Sequence, residues 1–509
     1  MMTRIGFSTD KYLKAQIAKI EQRVSIFDKL YLEFGGKLRW DNHASRVLPG
    51  YASDTKIQML KRIRSQTEII HCISAKDIDA RKIRGDSRLP YEDQILKDIN
   101  ELAELGLPVS AVIINRFSRE WSALKFKQRL ENRGLRVFIS YEIPNYLSDL
   151  DRVLSDEGYG KPEYVPTEKR IVIVTAPGPG SGKMSFAMSQ VYQDRKRGIN
   201  SGFAKFETFP IWNLELNHPV NTAYEAATAD IGDYNLVDPF HQAAYGVTAI
   251  NYNRDVENFA ILRRMIERLV GSDDPMSAYR SPTDMGVNMA KEGIVDDEAC
   301  REAAKQEIVR RFFRYTRDFV EGSTGRDTLH RMDEIMAKAG VKPDDRSVVS
   351  PARMAAEEAE KRRSEGKGHR GIYCGAALEL RVGEAIIITK GKNSSLMHAE
   401  SAAILNAVKI LAELPDETHV ISRQVIDSMI KLKRIFGSSV ASLDVKEVLD
   451  ALAASSVGDE KARRCIEALA LLRGCEMHTT HILNNGDETP LMQLGINVTT
   501  DAKIPLPTL

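Results

Sequence analysis

Short apolar runs that alternate with amphipathic stretches dictate the architecture of the first third of the chain. Asp28–Phe34 (DKLYLEF), Glu68–Ser74 (EIIHCIS), Ser110–Asn115 (SAVIIN), Leu135–Ser140 (LRVFIS) and Arg170–Thr175 (RIVIVT) have the length and β-branched content of strands. Tyr91–Leu105 and Glu120–Asn132 carry helical patterns between them. Strands that alternate with helices form βαβ units, and these form a largely parallel sheet covered on both faces. The expected fold class is therefore α/β. In such sheets ligands bind beyond the carboxyl ends of the strands, which directs attention to the residues that follow each run.

The fifth run leads into the most informative segment. Ile171–Thr175 gives way to Ala176-Pro177-Gly178-Pro179-Gly180-Ser181-Gly182-Lys183, and an amphipathic helix begins near Met184. Glycines let backbone N–H groups approach an anion, and a helix N-terminus adds roughly half a positive charge. Lys183 supplies a full one. Gly178, Gly180, Ser181, Gly182, Lys183 and Ser185 are the candidate binding residues, for ATP, another nucleotide or a phosphorylated metabolite. The Walker A pattern G-x-x-x-x-G-K-[ST] is incomplete: Pro177 stands at its first glycine and Met184 at the magnesium-binding hydroxyl. Ser185 comes one residue late, a rotation of about 100° on a helix. The dinucleotide pattern G-x-G-x-x-G fits no better, because these glycines are spaced two and two. Glu207, at the end of the next run (GFAKFET), comes late for a ribose-binding acid. A tight turn that binds nothing is the competing reading.

The first run is followed by Gly35-Gly36-Lys37 and then by Trp40, Asp41, His43 and Arg46. In a parallel sheet these share an edge with the glycine loop. Lys37, Asp41 and His43 offer a cation, an acid and a base, and are candidate catalytic residues; an ordinary polar loop has the same composition. Tyr279–Asn288 (YRSPTDMGVN) reads as a turn between helices, and offers Arg280, Thr283 and Asp284 to a ligand.

From Arg254 to about Gly340 long helices replace the strand-like runs. In Ala299–Val320, Ile308, Phe312, Tyr315 and Phe319 form one stripe and Arg310, Arg314 and Arg317 the opposite one, a core face backed by a solvated face. Pro351–Gly371 is charged and poor in apolar residues, and reads as a linker. Strands Tyr373–Leu380 and Glu384–Lys390, helix Met397–Leu414, strand His419–Ser422, three helical stretches and strand Glu476–Leu483 are expected after it. The expected domains are an α/β phosphate- or nucleotide-binding domain over 1–253, a helical domain over 254–350, and an α/β domain over 351–509 that the linker opens.

Composition narrows the class further. A chain of 509 residues is too long for one core. With 72 Lys and Arg against 71 Asp and Glu the net charge is +1, so no basic field marks a nucleic-acid binder. No apolar run is long enough to span a bilayer, and the opening MMTRIGFSTDKYLK is charged where a signal peptide needs its apolar core. Five dispersed cysteines imply no disulfide framework. A cytoplasmic location without membrane or nucleic-acid partners, and assembly as a homo-oligomer, are expected.

His398-Ala399-Glu400 opens a helix after two strands, the arrangement of zinc nucleoside deaminases. The P-C-x-x-C which that chemistry needs is missing, since no cysteine lies between Cys374 and Cys465. Cys475, His478 and His481 cannot share one ion if they lie along a strand, and His478 remains as a single functional histidine. The expectation is a deaminase-like topology without zinc or any other metal, with His398 and His478 as further catalytic candidates.

The segments IGFSTDKY, TAPGPGSGKMS, YRSPTDMGVN, HAESAAILNAVK and CEMHTTH…LGINVTTD together resemble, along the whole chain, a large bacterial family catalogued as a domain of unknown function. The resemblance implies an α/β N-terminal region, a helical region and a C-terminal domain of cytidine-deaminase-like fold. Some family members carry an ATP-dependent zinc peptidase label, but this sequence has no H-E-x-x-H to support it. The leading expectation is an enzyme that binds a nucleotide or phosphorylated metabolite at Gly178–Lys183. The alternatives are a non-catalytic metabolite-binding or oligomeric scaffold protein, and a zinc-free transferase that uses the C-terminal domain.

Overall fold

The structure, a computed structural model, describes residues 4–84, 87, 89–146, 148–383, 385–438 and 440–505. It divides into two compact units. One comprises Ile5–Thr228 and Asp233–Ala304; the other is built chiefly from Lys305 onward and includes Ala229–Gly232. The division falls inside the helix Asp297–Val320.

The first unit contains β1 (Lys29–Phe34), β2 (Thr67–Ser74), β3 (Val109–Phe117), β4 (Val137–Tyr141), β5 (Ile171–Thr175), β6 (Ser201–Phe206), the short pair β7 (Asn235–Val237) and β8 (Ile250–Tyr252), and β9 (Gly286–Val287). Seven of these form a sheet in the order β4-β3-β2-β5-β1-β6-β9, parallel throughout. The fold is thus α/β, and the five expected runs form strands with ends shifted by at most two residues. All five side chains of β5 are buried, as a strand with both faces covered requires. β2 continues to β3 on one side, while β5 passes over β1 to β6 on the other. Neighbouring strands whose connections leave in opposite directions open a crevice at their carboxyl ends. The loop after β5 lies there.

The second unit contains β10 (Gly375–Val382), β11 (Ala385–Lys392), β12 (Glu476–Thr479) and β13 (Asn497–Thr500), in the order β11-β10-β12-β13. The first two pairings are antiparallel and the last is parallel. Glu384, expected to open the second strand of this unit, lies outside the described residues.

Three expectations need correction. The linker Pro351–Gly371 is largely helix: Val349–Lys361 buries Ala352, Ala355 and Ala359 against β10, where Gly375 permits close approach. Alanines spaced three and four apart form a narrow apolar face that a count of large apolar residues overlooks. His419–Ser422 is not a strand; Ser422 instead caps the helix Arg423–Ile435, accepting a 3.3 Å bond from the Val425 N–H. The arginine stripe of Asp297–Val320 is not simply solvated either. Arg310 pairs with Glu476, and Arg317 with Glu488.

Candidate functional site

The glycine loop joins the buried strand β5 to the helix Lys183–Lys196, with Gly182 in the left-handed region (φ 79°) as its cap. The three glycines have different reasons. A Cβ at Gly178 would fall 2.1 Å from the Tyr91 hydroxyl, and one at Gly182 would fall 2.8 Å from Asn115 Cβ. A Cβ at Gly180 would meet nothing within 4 Å, so the tip of the loop faces open space. Asn115 Nδ2 donates to the Ser181 carbonyl (2.8 Å), and Ser181 Oγ donates to the Gly178 carbonyl (2.8 Å). Ser181 is buried, so its hydroxyl shapes the loop rather than projecting from it. The Ser185 hydroxyl lies against Tyr146 and Tyr159.

Lys183 stands at the first position of the helix with its ammonium 3.6 Å from Glu33 Oε1. Glu33 is the penultimate residue of β1, the strand beside β5. On the far side of β1, Lys205 near the end of β6 pairs with Asp255, while Glu207 just beyond accepts a 2.8 Å bond from the Tyr252 hydroxyl. Burial pushes Glu207 from its ordinary 4.5 up to about 7, and Asp255 adds repulsion that Lys205 only partly offsets. Lys205 is held charged despite burial by Asp255, Glu207 and Glu33. A cation at the loop thus adjoins a string of carboxylates, one of them poised to exchange a proton near neutral pH.

The candidates after β1 divide. Lys37 lines a small cleft with Arg39, Arg84, Thr175 and Ala176, which brings it to the start of the glycine loop. Asp41 is committed elsewhere: it caps the helix Asn42–Val47 and pairs with buried Lys56 at 2.9 Å. Burial raises its pKa, but Lys56 and the Ala44 N–H prevail and hold it low. His43 packs edge-on against Phe209, ring centres 5.1 Å apart. Lys56 also donates to the Gly35 carbonyl (3.0 Å), so the Asp41–Lys56 pair braces the Gly35-Gly36 turn that precedes Lys37.

Glu33, Asn115, Lys205, Tyr252 and Asp255 were missed in the sequence, and Glu207 was weighed only against a ribose. Four of the six lie at or just past the end of a strand, so the carboxyl-edge rule held the signal. Strain marks the same edge. Trp40, Arg81, Arg116, Arg119 and Asn145 take positive φ near the ends of β1 to β4, a costly conformation that clusters at functional sites.

In the second unit His398 occupies the N-cap position of the helix Ala399–Leu411 without a side-chain cap bond, and its Nδ1 lies 2.8 Å from Asp487 Oδ2. His478 is fully buried in β12 between Thr499 (2.9 Å) and Asp501 (3.4 Å), against the Phe313 ring. His481 lies beyond the end of that strand and faces Glu400 at 3.7 Å. In the first unit Thr283 and Asp284 are used locally, while exposed Arg280 contributes its backbone: Asp284 accepts from the Tyr245 hydroxyl and the Arg280 N–H, and Thr283 donates to Asp238.

Glu207 supplies a test of the first cluster. A carboxyl whose folded pKa exceeds its unfolded one binds extra protons in the folded state, so its stabilising contribution is full below 4.5 and is lost as pH rises through about 7. Glu207→Gln cannot ionise. Its melting temperature is expected to fall less than that of the wild type between about pH 5 and about pH 8. Identical losses in scanning calorimetry would show that Glu207 is not the titrating group.

Residues 5–340 match the family described as Domain of unknown function DUF1846, N-terminal, and residues 344–507 match Domain of unknown function DUF1846, C-terminal. A UPF0371 protein of Clostridium tetani is 44% identical over 503 residues, covering 99% of this chain and 98% of that one. The corresponding protein of Fusobacterium nucleatum is 45% identical over 503 residues, with the same coverage. One from Clostridium botulinum is 44% identical over 499 residues, 98% of this chain and 97% of its own. Among the described residues no helix is long and apolar enough to cross a membrane.

Proposed function

The chain belongs to the DUF1846 family, whose description assigns no reaction, and from that premise we propose that its first unit is an enzyme module for a nucleotide or phosphorylated metabolite. The observation that carries this reading is the placement of the Gly178–Lys183 loop. It follows a buried central strand at the point where the strand connections diverge, and its tip faces open space. Backbone N–H groups, the helix N-terminus and Lys183 converge there on an anion. The adjoining cleft has mixed charge: Lys37, Arg39 and Arg84 line it together with Asp98 and Glu101, and Arg39 pairs with Glu101 at 2.8 Å, so the reading rests on the loop itself. Glu207 is the acid–base group of the proposal, and Lys205 a fixed cation beside it. Glu33 takes the Lys183 ammonium in the absence of a phosphate. Five free cysteines, four of them buried, support the cytoplasmic location that belongs to the same reading.

A thermal-shift screen with inorganic phosphate, ATP and a panel of phosphorylated metabolites tests this. A charge-assisted hydrogen bond contributes roughly 1.5–3 kcal/mol, so Lys183→Ala should weaken the best ligand about 10- to 150-fold. Without ligand the variant should melt slightly below the wild type, because half-buried Glu33 loses a cation. If Lys183→Ala keeps the full ligand-induced shift, the loop is a bare turn. A ligand whose effect is removed by His398→Gln instead would move the chemistry to the second unit and favour a transferase.

A further inference from the structure

The second unit holds a cluster that its pairwise contacts leave incomplete. His398, Glu400 and Asp487 each present a ligand atom, and the three atoms lie within 4.8 Å of one another. They come from two helix N-termini: His398 and Glu400 from the start of Ala399–Leu411, and Asp487 from the first turn of Asn485–Gln493. Asp487 is well satisfied. Its Oδ1 accepts from the Val445 N–H (2.8 Å) and its Oδ2 from Asn484 Nδ2 (2.8 Å), and Oδ2 also lies 2.8 Å from His398 Nδ1. Helix N-termini stabilise carboxylates, so nothing more is needed to explain Asp487.

Glu400 is different. It is 0% exposed, and neither carboxylate oxygen has a hydrogen-bond partner. His398 Nδ1 and His481 Nε2 each stand 3.7 Å from its Oε1, too far for a hydrogen bond. A fully buried carboxylate that faces two imidazole nitrogens only at 3.7 Å, with no hydrogen bond to either, is costly to keep. The spacing of the surrounding atoms suits a different partner. Nitrogen and oxygen ligands about 2.1 Å from a tetrahedral ion are about 3.4 Å apart. The separations of 2.8 Å (His398 to Asp487) and 3.7 Å (His398 to Glu400) bracket that value.

We propose that His398, Glu400 and Asp487 bind a divalent transition-metal ion, with His481 beside Glu400 as a further nitrogen ligand or as its orienting partner. One imidazole with two carboxylates is a donor set for zinc or manganese. The Val445 N–H and Asn484 amide fix Asp487 in orientation, as outer-shell groups do for metal ligands. His398 is 28% exposed, which leaves the cluster an entry path from solvent. The sequence expectation of no metal rested on the missing cysteines, the absent H-E-x-x-H and the spread of Cys475, His478 and His481 along a strand. The structure instead brings two carboxylates to the histidine, one of them 89 residues away.

Chelator-treated full-length protein titrated with zinc, and separately with manganese, tests the proposal. Wild type should bind one ion per chain and melt at a higher temperature when loaded. Glu400→Gln and Asp487→Asn should each weaken binding by roughly 100-fold or more, and the exposed control His419→Gln should not. Should the buried carboxylate variants fail to fold, His398→Gln at the exposed rim carries the same expectation. Two results overturn the proposal: no binding by folded wild type, or binding that His398→Gln leaves intact. Either would make the cluster a metal-free set of histidine–carboxylate contacts.

Discussion

Gly182→Val is expected to lose both the ligand and much of the stability of the first unit. Gly182 has φ 79°, where a residue with a Cβ costs roughly 1–2 kcal/mol and a β-branched one more. The new Cβ would also lie 2.8 Å from Asn115 Cβ and 2.9 Å from its Nδ2. Asn115 is 2% exposed and holds the Ser181 carbonyl, so it cannot yield without breaking that bond and leaving a buried polar group unsatisfied, at about 1–3 kcal/mol. Together the costs come to about 2–5 kcal/mol, whose upper end is among the largest a point substitution produces. Gly180→Val isolates the backbone contribution, since a Cβ there meets no atom within 4 Å and only the positive φ (75°) resists it. Urea unfolding of both variants beside wild type measures the difference. Equal stability losses would mean that the Asn115 contact does not constrain the loop.

Asn115 also shows what could be read in the sequence and what could not. The strand carrying it was legible because its apolar run has strand length and composition, and so was the glycine loop, because an apolar run, closely spaced glycines and a helix start form a local pattern. The partners were not. Asn115 and Ser181 are 66 residues apart, and only the sheet order, with β5 inserted between β2 and β1, brings their strand ends together. The same holds for Lys183 and Glu33. Asp41 and His43 show the same limit from the other side. Their residue types suit catalysis, but Asp41 is drawn into a helix cap and a buried lysine, which no local pattern discloses. In the second unit, His398 and Glu400 were visible as H-A-E, whereas Asp487 lies in a helix with no metal-binding signature. The linker reading failed on alanine, too small to register in an apolar count yet sufficient to bury a helix on a strand.

Glu476→Ala should destabilise the second unit by about 3–5 kcal/mol, the usual cost of breaking a buried ion pair from one side. Glu476 opens β12 and takes two guanidinium groups at once. Arg310 reaches it with Nη2 at 2.8 Å and Nε at 3.1 Å, and Arg346 pairs through Nη1. Arg346 is 1% exposed, and its other bonds go to neutral acceptors: Thr499 Oγ1 and the carbonyls of Met477 and Asn497. Without Glu476, Arg346 becomes a buried cation without a carboxylate. Arg310 keeps Glu307, which Arg311 also uses. Burial by itself would raise the Glu476 pKa, but the two arginines outweigh it and hold the carboxyl at about 2, below its ordinary 4.5. The stabilisation is therefore present above pH 4.5 and is lost as the pH falls through about 2. For a unit of this size the expected loss corresponds to a fall of roughly 6–20 °C in its melting transition. The deficit relative to wild type should shrink in acid, where the wild-type carboxyl is itself being protonated. A loss below about 1 kcal/mol at neutral pH would mean that water or a rearranged Glu307 reaches Arg346. A deficit independent of pH would attribute the loss to packing rather than charge.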